Sequence, residues 1–341
     1  EGHAQPGGAA QPTSGASPAA RPLQPSPVLG RQLRVADIQL GELLGAGGFG
    51  AVYKGRLKDG SFPGEVAVKQ LHLEGGQMSQ LHLEEFRKEV DNLQSLQHPR
   101  LIRFIGIALE PPLLCMVTEL APNGSLHAAE LCGQFGRIAR RVTAQRERWG
   151  GRTVVSPALH VQRLCFDDSR KRALVLQIVE GVAFLHGRQP PRVHRDLKSA
   201  NVVLDAEWNA KLCDFGLTES MEKTHISRKE NEAGSPRYMA PELFDARSKL
   251  SEKMDVWALG CLAIEILIRR QPHEECANLQ QIAVKLIVHA LPPYEDSWCN
   301  GFRADVASII GRCFAREVQR RPSSAELLQT LAQVEDWKAH A

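Results

Sequence analysis

Nowhere in this chain do the roughly 20 consecutive apolar residues of a membrane helix occur. The nearest approach, Ala258 to Ile268, is too short and carries Glu265. The N-terminus lacks the charged-then-apolar pattern of a secretory signal. It starts on Glu1 rather than Met, which leaves an upstream anchor open. A strong charge is missing too. The 42 basic and 39 acidic residues leave a formal net charge of +3, too small to argue for nucleic acid or a membrane surface as partner. No two of the eight cysteines are spaced C-x-x-C, which argues against a zinc site. Scattered single cysteines in a long chain read as buried thiols in a reducing compartment, so a cytoplasmic location is expected.

What is present is enough apolar material for a large core: 341 residues, 43% of them hydrophobic. Residues 1–32 are built from Ala, Gly, Pro, Gln and Ser, too little apolar bulk to offset the entropy of ordering, and read as a disordered tail. From Ile38 the pattern changes. Gly50–Lys54 and Glu65–Lys69 are apolar, β-branched and set off by glycines, which predicts strands. From His82 to Leu96, Leu83, Phe86, Val90 and Leu93 repeat at helical spacing. After Asp167 helical patterns dominate, at Ala173–His186, Met254–Ile268 and Val306–Cys313. A strand-rich first part and a helix-rich second part predict two lobes. Residues 127–166 interrupt the order. Between Gly136 and Arg163 stand seven arginines and one acid, which reads as an exposed inserted loop able to dock anionic partners.

Three motifs carry chemistry. In Gly45-Ala46-Gly47-Gly48-Phe49-Gly50 the missing side chains let backbone N–H groups approach phosphate oxygens. Alone this pattern also fits a dinucleotide fold or a plain turn. A dinucleotide fold needs a helix after the last glycine, whereas the strand-like Ala51-Val-Tyr-Lys follows. That favours a hairpin over a nucleotide. Val66-Ala67-Val68-Lys69 comes next, and an ammonium there would neutralise phosphate charge. Glu89, on the turn of Phe86 and Val90, is the carboxylate to hold it. The third group is His194-Arg195-Asp196-Leu-Lys198-Ser-Ala-Asn201, then Asp214-Phe-Gly216, then Ala240-Pro-Glu242. Asn201 and Asp214 offer the hard oxygens magnesium prefers, and Asp196 can accept a hydroxyl proton.

In these motifs and their order the chain resembles the eukaryotic protein kinases over about residues 38–335. The resemblance implies an α+β, two-lobed kinase fold. A small antiparallel sheet lobe with one helix (about 38–118) joins a larger helical lobe (122–335) through a hinge at 119–121. It implies ATP as phosphate donor, Mg2+ as metal, and proteins as substrates. By the same carry-over, Gly45 to Gly50, Val52 and Ala67 would cover ATP. Lys69, paired with Glu89, would hold the α and β phosphates, and Asp196 would be the base. Lys198 would stabilise the transferring group, and Asn201 and Asp214 would ligate magnesium. Thr118 would be the gatekeeper, with Glu119 and Ala121 meeting adenine through their backbone. Asp255 would brace the catalytic loop, and Glu242 and Arg321 would pair inside the large lobe.

Glu119-Leu-Ala-Pro-Asn-Gly-Ser-Leu126, Gly234-Ser-Pro-Arg-Tyr-Met-Ala-Pro-Glu242 and Arg321-Pro-Ser resemble the tyrosine-kinase-like branch, which includes mixed-lineage and Raf-like kinases and mostly acts on Ser and Thr. Two rivals stay open: a tyrosine kinase, and a pseudokinase, although Lys69, Asp196 and Asp214 are all present. Regulation is expected through Arg195, with Thr224 and Ser227 as acceptors of an activating phosphate from this or an upstream kinase. Ser235 is expected to narrow the acceptor site. Cys213, beside Asp214, reads as an inert buried thiol or as a group that ATP shields from alkylation. His273 departs from the family pattern, which commonly has an aromatic there.

Overall fold

The computed structural model describes residues 31–47, 50–71, 80–110, 113–129, 166–220, 235–245 and 251–339. Five strands form one antiparallel sheet: β1 (Ile38–Gly47), β2 (Gly50–Leu57), β3 (Glu65–Leu71), β4 (Phe104–Glu110) and β5 (Leu113–Glu119). Their order is β1-β2-β3-β5-β4. Alternation in β3 decides where its chemistry goes. Val66 and Val68 are fully buried against Leu57, Ala108, Cys115 and Val117 on one face. Period two then turns Ala67 and Lys69 to the opposite face, toward helix α1 (Gln80–Ser95). Phe86, Val90 and Leu93 bury one stripe of α1, and Glu89 lies on the same turn.

The folded region begins before Ile38. Arg31 C=O accepts from Ile107 N–H at 3.0 Å, Leu33 N–H donates to Ile107 C=O at 2.8 Å, and Leu33 is buried. Composition places Arg31 and Gln32 in the tail, whereas Gln32 bridges to Ile107 in β4. A single added strand position carries too little periodicity to register in composition.

In the second part, α2 (Asp168–His186) opens on Asp167, whose carboxylate accepts the Arg170 N–H at 2.7 Å. The sequence pattern detected this helix only from Ala173, because its first turn is polar. α3 (Lys253–Ile268) is buried continuously from Met254 to Leu267, as a helix at the centre of a lobe must be. α4 (Leu279–Ala283), α5 (Ala304–Gly311) and α6 (Ser324–Ala332) follow, and α2 packs on both α3 and α6. Between α2 and α3 lie the small pairs β6 (Arg192–Val193) with β9 (Glu219–Ser220), and β7 (Val202–Leu204) with β8 (Ala210–Leu212). The architecture is the α+β, two-part arrangement expected.

The edges of the expected insertion belong to this lobe. Residues 126–129 are helical, with Ala129 buried. Phe166 meets the Trp208 ring edge-on, with centroids 5.8 Å apart. The arginine-rich interval itself lies outside the described residues. So do the tail up to residue 30 and Gly48, Phe49, Thr224 and Ser227. Among the described residues no helix is long and apolar enough to cross a membrane.

Candidate active site

The small-sheet side of the site is set by register. β1 and β2 pair Gly45 with Val52, Ala46 with Ala51 and Gly47 with Gly50 at the hairpin tip. Val52 stands opposite Lys69, and Ala67 stands opposite Thr118. Gly50 has φ 149°, and a Cβ there would lie 2.1 Å from the Gln70 carbonyl oxygen, so no other residue fits. At Gly45 a Cβ would meet nothing within 4 Å. Packing does not demand that glycine; the open space beside it suits an approaching phosphate.

Lys69 Nζ reaches both oxygens of Glu89, at 2.8 and 2.7 Å, and lies 3.7 Å from Asp214. Burial opposes the Lys69 charge, but Glu89 and Asp214 outweigh it and hold the ammonium above its usual range. The lysine is therefore a fixed cation at the mouth of the loop.

The loop that bears Asp196 hangs from α3. Asp255, buried in the first turn of that helix, accepts the backbone N–H groups of His194 and Arg195 at 2.8 and 2.9 Å. His186 at the end of α2 adds a contact at 2.9 Å. Burial works against the Asp255 charge, yet the bonds from His186 and the loop keep its carboxyl below the usual range. Arg195 is left-handed, with φ 71°. The 3-10 turn Ser199–Asn201 closes the loop. Within it Asp196 is the hub. Lys198 Nζ donates to Asp196 Oδ2 at 2.7 Å, and Asn201 Nδ2 donates to the same oxygen at 2.9 Å. Ser235 gives Asp196 Oδ1 its backbone N–H at 3.0 Å and its hydroxyl at 3.1 Å.

Asp214 is brought to this loop by Cys213 N–H, which donates to Asn201 C=O at 3.0 Å. Its backbone is left-handed, φ 64°, and its side chain is 46% exposed beside Lys69. Such strain in two non-glycine residues of one site is held by the surrounding bonds. Phe215 turns the other way, into the core, 5.2 Å from the His194 ring. Burial first, and then Asp214, push the Cys213 thiol up to about 12. That favours the inert thiol over the reactive one.

The residues fit a magnesium ion on the chemistry of their donors. Asn201 commits its Nδ2 to Asp196 C=O and Oδ2, both at 2.9 Å, so its amide oxygen is the atom left for a cation. Asp214 adds a hard carboxylate oxygen.

Glu119 Oε1 accepts Lys211 Nζ and Arg103 N–H, each at 2.9 Å, which fixes the end of β5 just before Ala121. On the other side of Asp196, a cavity of about 340 Å³ opens between Lys198, Ser235, Pro236, Tyr238, Leu279 and Ile282.

A family model described as "Protein kinase domain" matches residues 38–331. The chain belongs to the protein kinase domain family. It is 30% identical over 302 residues to probable serine/threonine-protein kinase SIS8 of Arabidopsis thaliana, covering 88% of this chain and 25% of that protein. It is 30% identical over 305 residues to dual specificity protein kinase shkC of Dictyostelium discoideum, covering 89% of this chain and 52% of that one. With mitogen-activated protein kinase kinase kinase A, also of Dictyostelium discoideum, the figures are 28% over 296 residues, 85% and 27%. The chain thus spans a quarter to about half of the length of these relatives. They are consistent with the tyrosine-kinase-like branch.

Several positioning residues carry little signal in the sequence. Asn92 Nδ2 donates to Thr218 C=O at 3.0 Å and to Phe215 C=O at 3.4 Å, tying α1 to the segment after Asp214. Ser199 Oγ donates to Glu265 Oε1 at 2.8 Å, and Tyr238 OH donates to Oε2 at the same distance. The carboxylate thus joins the loop of Asp196 to the segment that bears Ser235 and Tyr238. A lone Glu265 in the apolar run Ala258–Ile268 was the available signal. A buried carboxylate must have partners, though sequence does not say which.

Proposed function

We propose that this chain is an ATP- and magnesium-dependent protein kinase acting on serine and threonine hydroxyls of proteins. The observation that carries the proposal is the double claim on Asp196. One carboxylate oxygen is held by Lys198 and Asn201 and the other by Ser235. An acceptor hydroxyl entering between Lys198 and Ser235 donates to this carboxylate, which takes its proton as the oxygen bonds to the γ-phosphorus of ATP and the bond to the departing ADP breaks. The Lys198 ammonium, two residues on, balances charge on the moving phosphoryl group. Lys69, fixed by Glu89, holds the nucleotide phosphates in line. Asn201 and Asp214 would hold the magnesium ion, which would supply neutralising charge to the nucleotide phosphates.

The Ser235 hydroxyl, 3.1 Å from the base, occupies space that a long phenolic side chain needs, which supports a short acceptor. Phosphoamino-acid analysis of trans-substrates should yield phosphoserine and phosphothreonine, with Ser235→Ala raising the phosphotyrosine share. Phosphotyrosine dominating with the parent enzyme would overturn the assignment. It would align this chain with the dual-specificity name of one relative. A pseudokinase reading has no positive support, since Lys69, Glu89 and Asp214 keep the ionic arrangement that phosphoryl transfer needs.

The reading extends to regulation by phosphorylation between Asp214 and Glu242, with protein substrates and an upstream kinase of a cascade as partners. Arg195, beside the base, is placed by Asp255 and strained at φ 71°. A phosphate of about −1.5 to −2 charges bound near such an arginine would fix the segment. Phosphatase-treated enzyme should show a lag that pre-incubation with MgATP removes, and Thr224→Ala/Ser227→Ala should keep the lag. Equal initial rates in all three preparations would exclude these two sites as the switch. A cytoplasmic site of action completes the proposal.

A further inference from the structure

The turn after Pro272 carries a cluster that phosphoryl transfer does not use. His273 is wholly buried, and neither ring nitrogen has a hydrogen-bond partner among the described residues. The family pattern commonly has an aromatic here, which would fill the space without burying two unpaired polar atoms. The chain is shaped to hold this side chain inward. His273 is left-handed, φ 52°, its N–H donates to Pro293 C=O at 3.0 Å, and its C=O accepts Cys276 N–H at 2.9 Å. That turn folds three ligand types together. A ring nitrogen of His273, a carboxylate oxygen of Glu275 and the sulfur of Cys276 all lie within 4.8 Å of one another.

We infer that His273, Glu275 and Cys276 bind a zinc ion, with water in the fourth position. A nitrogen, a sulfur and one carboxylate oxygen are the donor set zinc takes, whereas magnesium and calcium require mainly oxygens. Thiolate and carboxylate together match the two charges of the ion. The Cys276 proton leaves to solvent as the Zn–S bond forms. Two cations stand near. Lys285 donates to Glu275 Oε1, the oxygen that the Cys276 thiol approaches at 3.9 Å, so the ion takes the place of Lys285 there or turns Oε2 inward. Arg237 is committed to the carbonyls of Pro272, His273 and Cys276. These charges oppose a loosely held ion and leave only one bonded through nitrogen and sulfur. Bonds of about 2.0–2.3 Å require the three donors to draw inward. Glu275 is exposed and able to move.

The cluster's place gives the site a consequence. Cys276 lines the cavity beside Asp196, and Arg237 links this turn to the segment bearing Ser235. An ion there stiffens the floor of the acceptor site.

The test uses the full chain, stripped with a chelator and dialysed against buffered Zn2+. The parent protein should retain one equivalent more than His273→Phe, Cys276→Ser or Glu275→Gln, with His273→Phe weakening that equivalent by about tenfold or more. Phenylalanine fits the buried slot, and Glu275→Gln alters an exposed position, so at least one variant reports on a folded chain. Zinc should raise the melting temperature of the parent and not of His273→Phe. With Co2+ instead, a thiolate charge-transfer band should appear and vanish in Cys276→Ser. Equal stoichiometry and affinity in the parent and Glu275→Gln and His273→Phe would overturn the site, as would a charge-transfer band that persists in Cys276→Ser.

Discussion

Lys69→Met and Asp214→Asn are each expected to lower phosphoryl transfer by about 10³-fold or more while leaving a folded protein. The expectation rests on where the two charges sit. Lys69 Nζ and Asp214 Oδ1 are 3.7 Å apart at the open side of the site, and the Asp214 side chain is 46% exposed. Removing a carboxylate charge there deletes the proposed magnesium donor without opening a cavity. Lys69→Met is the more disturbing change, because it leaves the Glu89 carboxyl buried at 6% exposure without its cation. Glu89 then takes up a proton rather than remain charged. The folded state survives, and the loss falls on nucleotide alignment. Initial rates at saturating MgATP, beside melting curves of both variants, decide the matter. Turnover within tenfold of the parent enzyme for either one would remove that residue from the catalytic machinery. Unfolding of Asp214→Asn would show that its role is architectural.

The residues of this site were legible because the chemistry fixes their types and local spacing. Asp196, Lys198 and Asn201 lie within one loop, and the three meet on one carboxylate. Lys69 and Glu89 were legible for a second reason. Alternation in β3 and the helical stripe of α1 each announce a face, and the two faces meet. Asn92 had no comparable signal. Its partners are 123 and 126 positions away, and an amide on a helix reads equally well as a surface residue. The same holds for His127, whose ring lies 3.4 Å from Ser199 Oγ and 3.3 Å from Gln271 Nε2. It was assigned to the edge of an insertion because the composition changes beside it, whereas packing decides the boundary. His273 was noticed as a departure from the family pattern. What it does there depends on Glu275 and Cys276 folding back through a left-handed residue, which spacing alone does not disclose.

Arg321→Met should destabilise the protein by about 3–5 kcal/mol, the largest stability effect expected of any single polar substitution here. Arg321 and Glu242 form a two-bonded pair, at 2.6 and 2.8 Å, with side chains 0% and 5% exposed. Taking Arg321 away removes the two-bonded cation from a buried carboxylate. The guanidinium has other duties that methionine cannot assume. Its Nε donates to Ala315 C=O at 3.0 Å, Nη1 donates to Lys253 C=O at 3.1 Å, and its Cζ lies over the Trp257 ring, 5.0 Å from the centroid. Those bonds tie the start of α3 to the turn before α6, and α3 carries the Asp255 that holds the catalytic loop. Stability and activity are therefore expected to fall together in this variant, unlike in Asp214→Asn. Adding Glu242→Leu to Arg321→Met removes the buried carboxylate that has lost its cation, so the double variant should be more stable than Arg321→Met alone. Urea midpoints of the parent, the two single variants and the double variant supply the cycle. A loss below about 1 kcal/mol for Arg321→Met would mean that water reaches the pair. A double variant no more stable than Arg321→Met would mean that the carbonyl and ring contacts of Arg321, rather than its ion pair, hold this part of the lobe together.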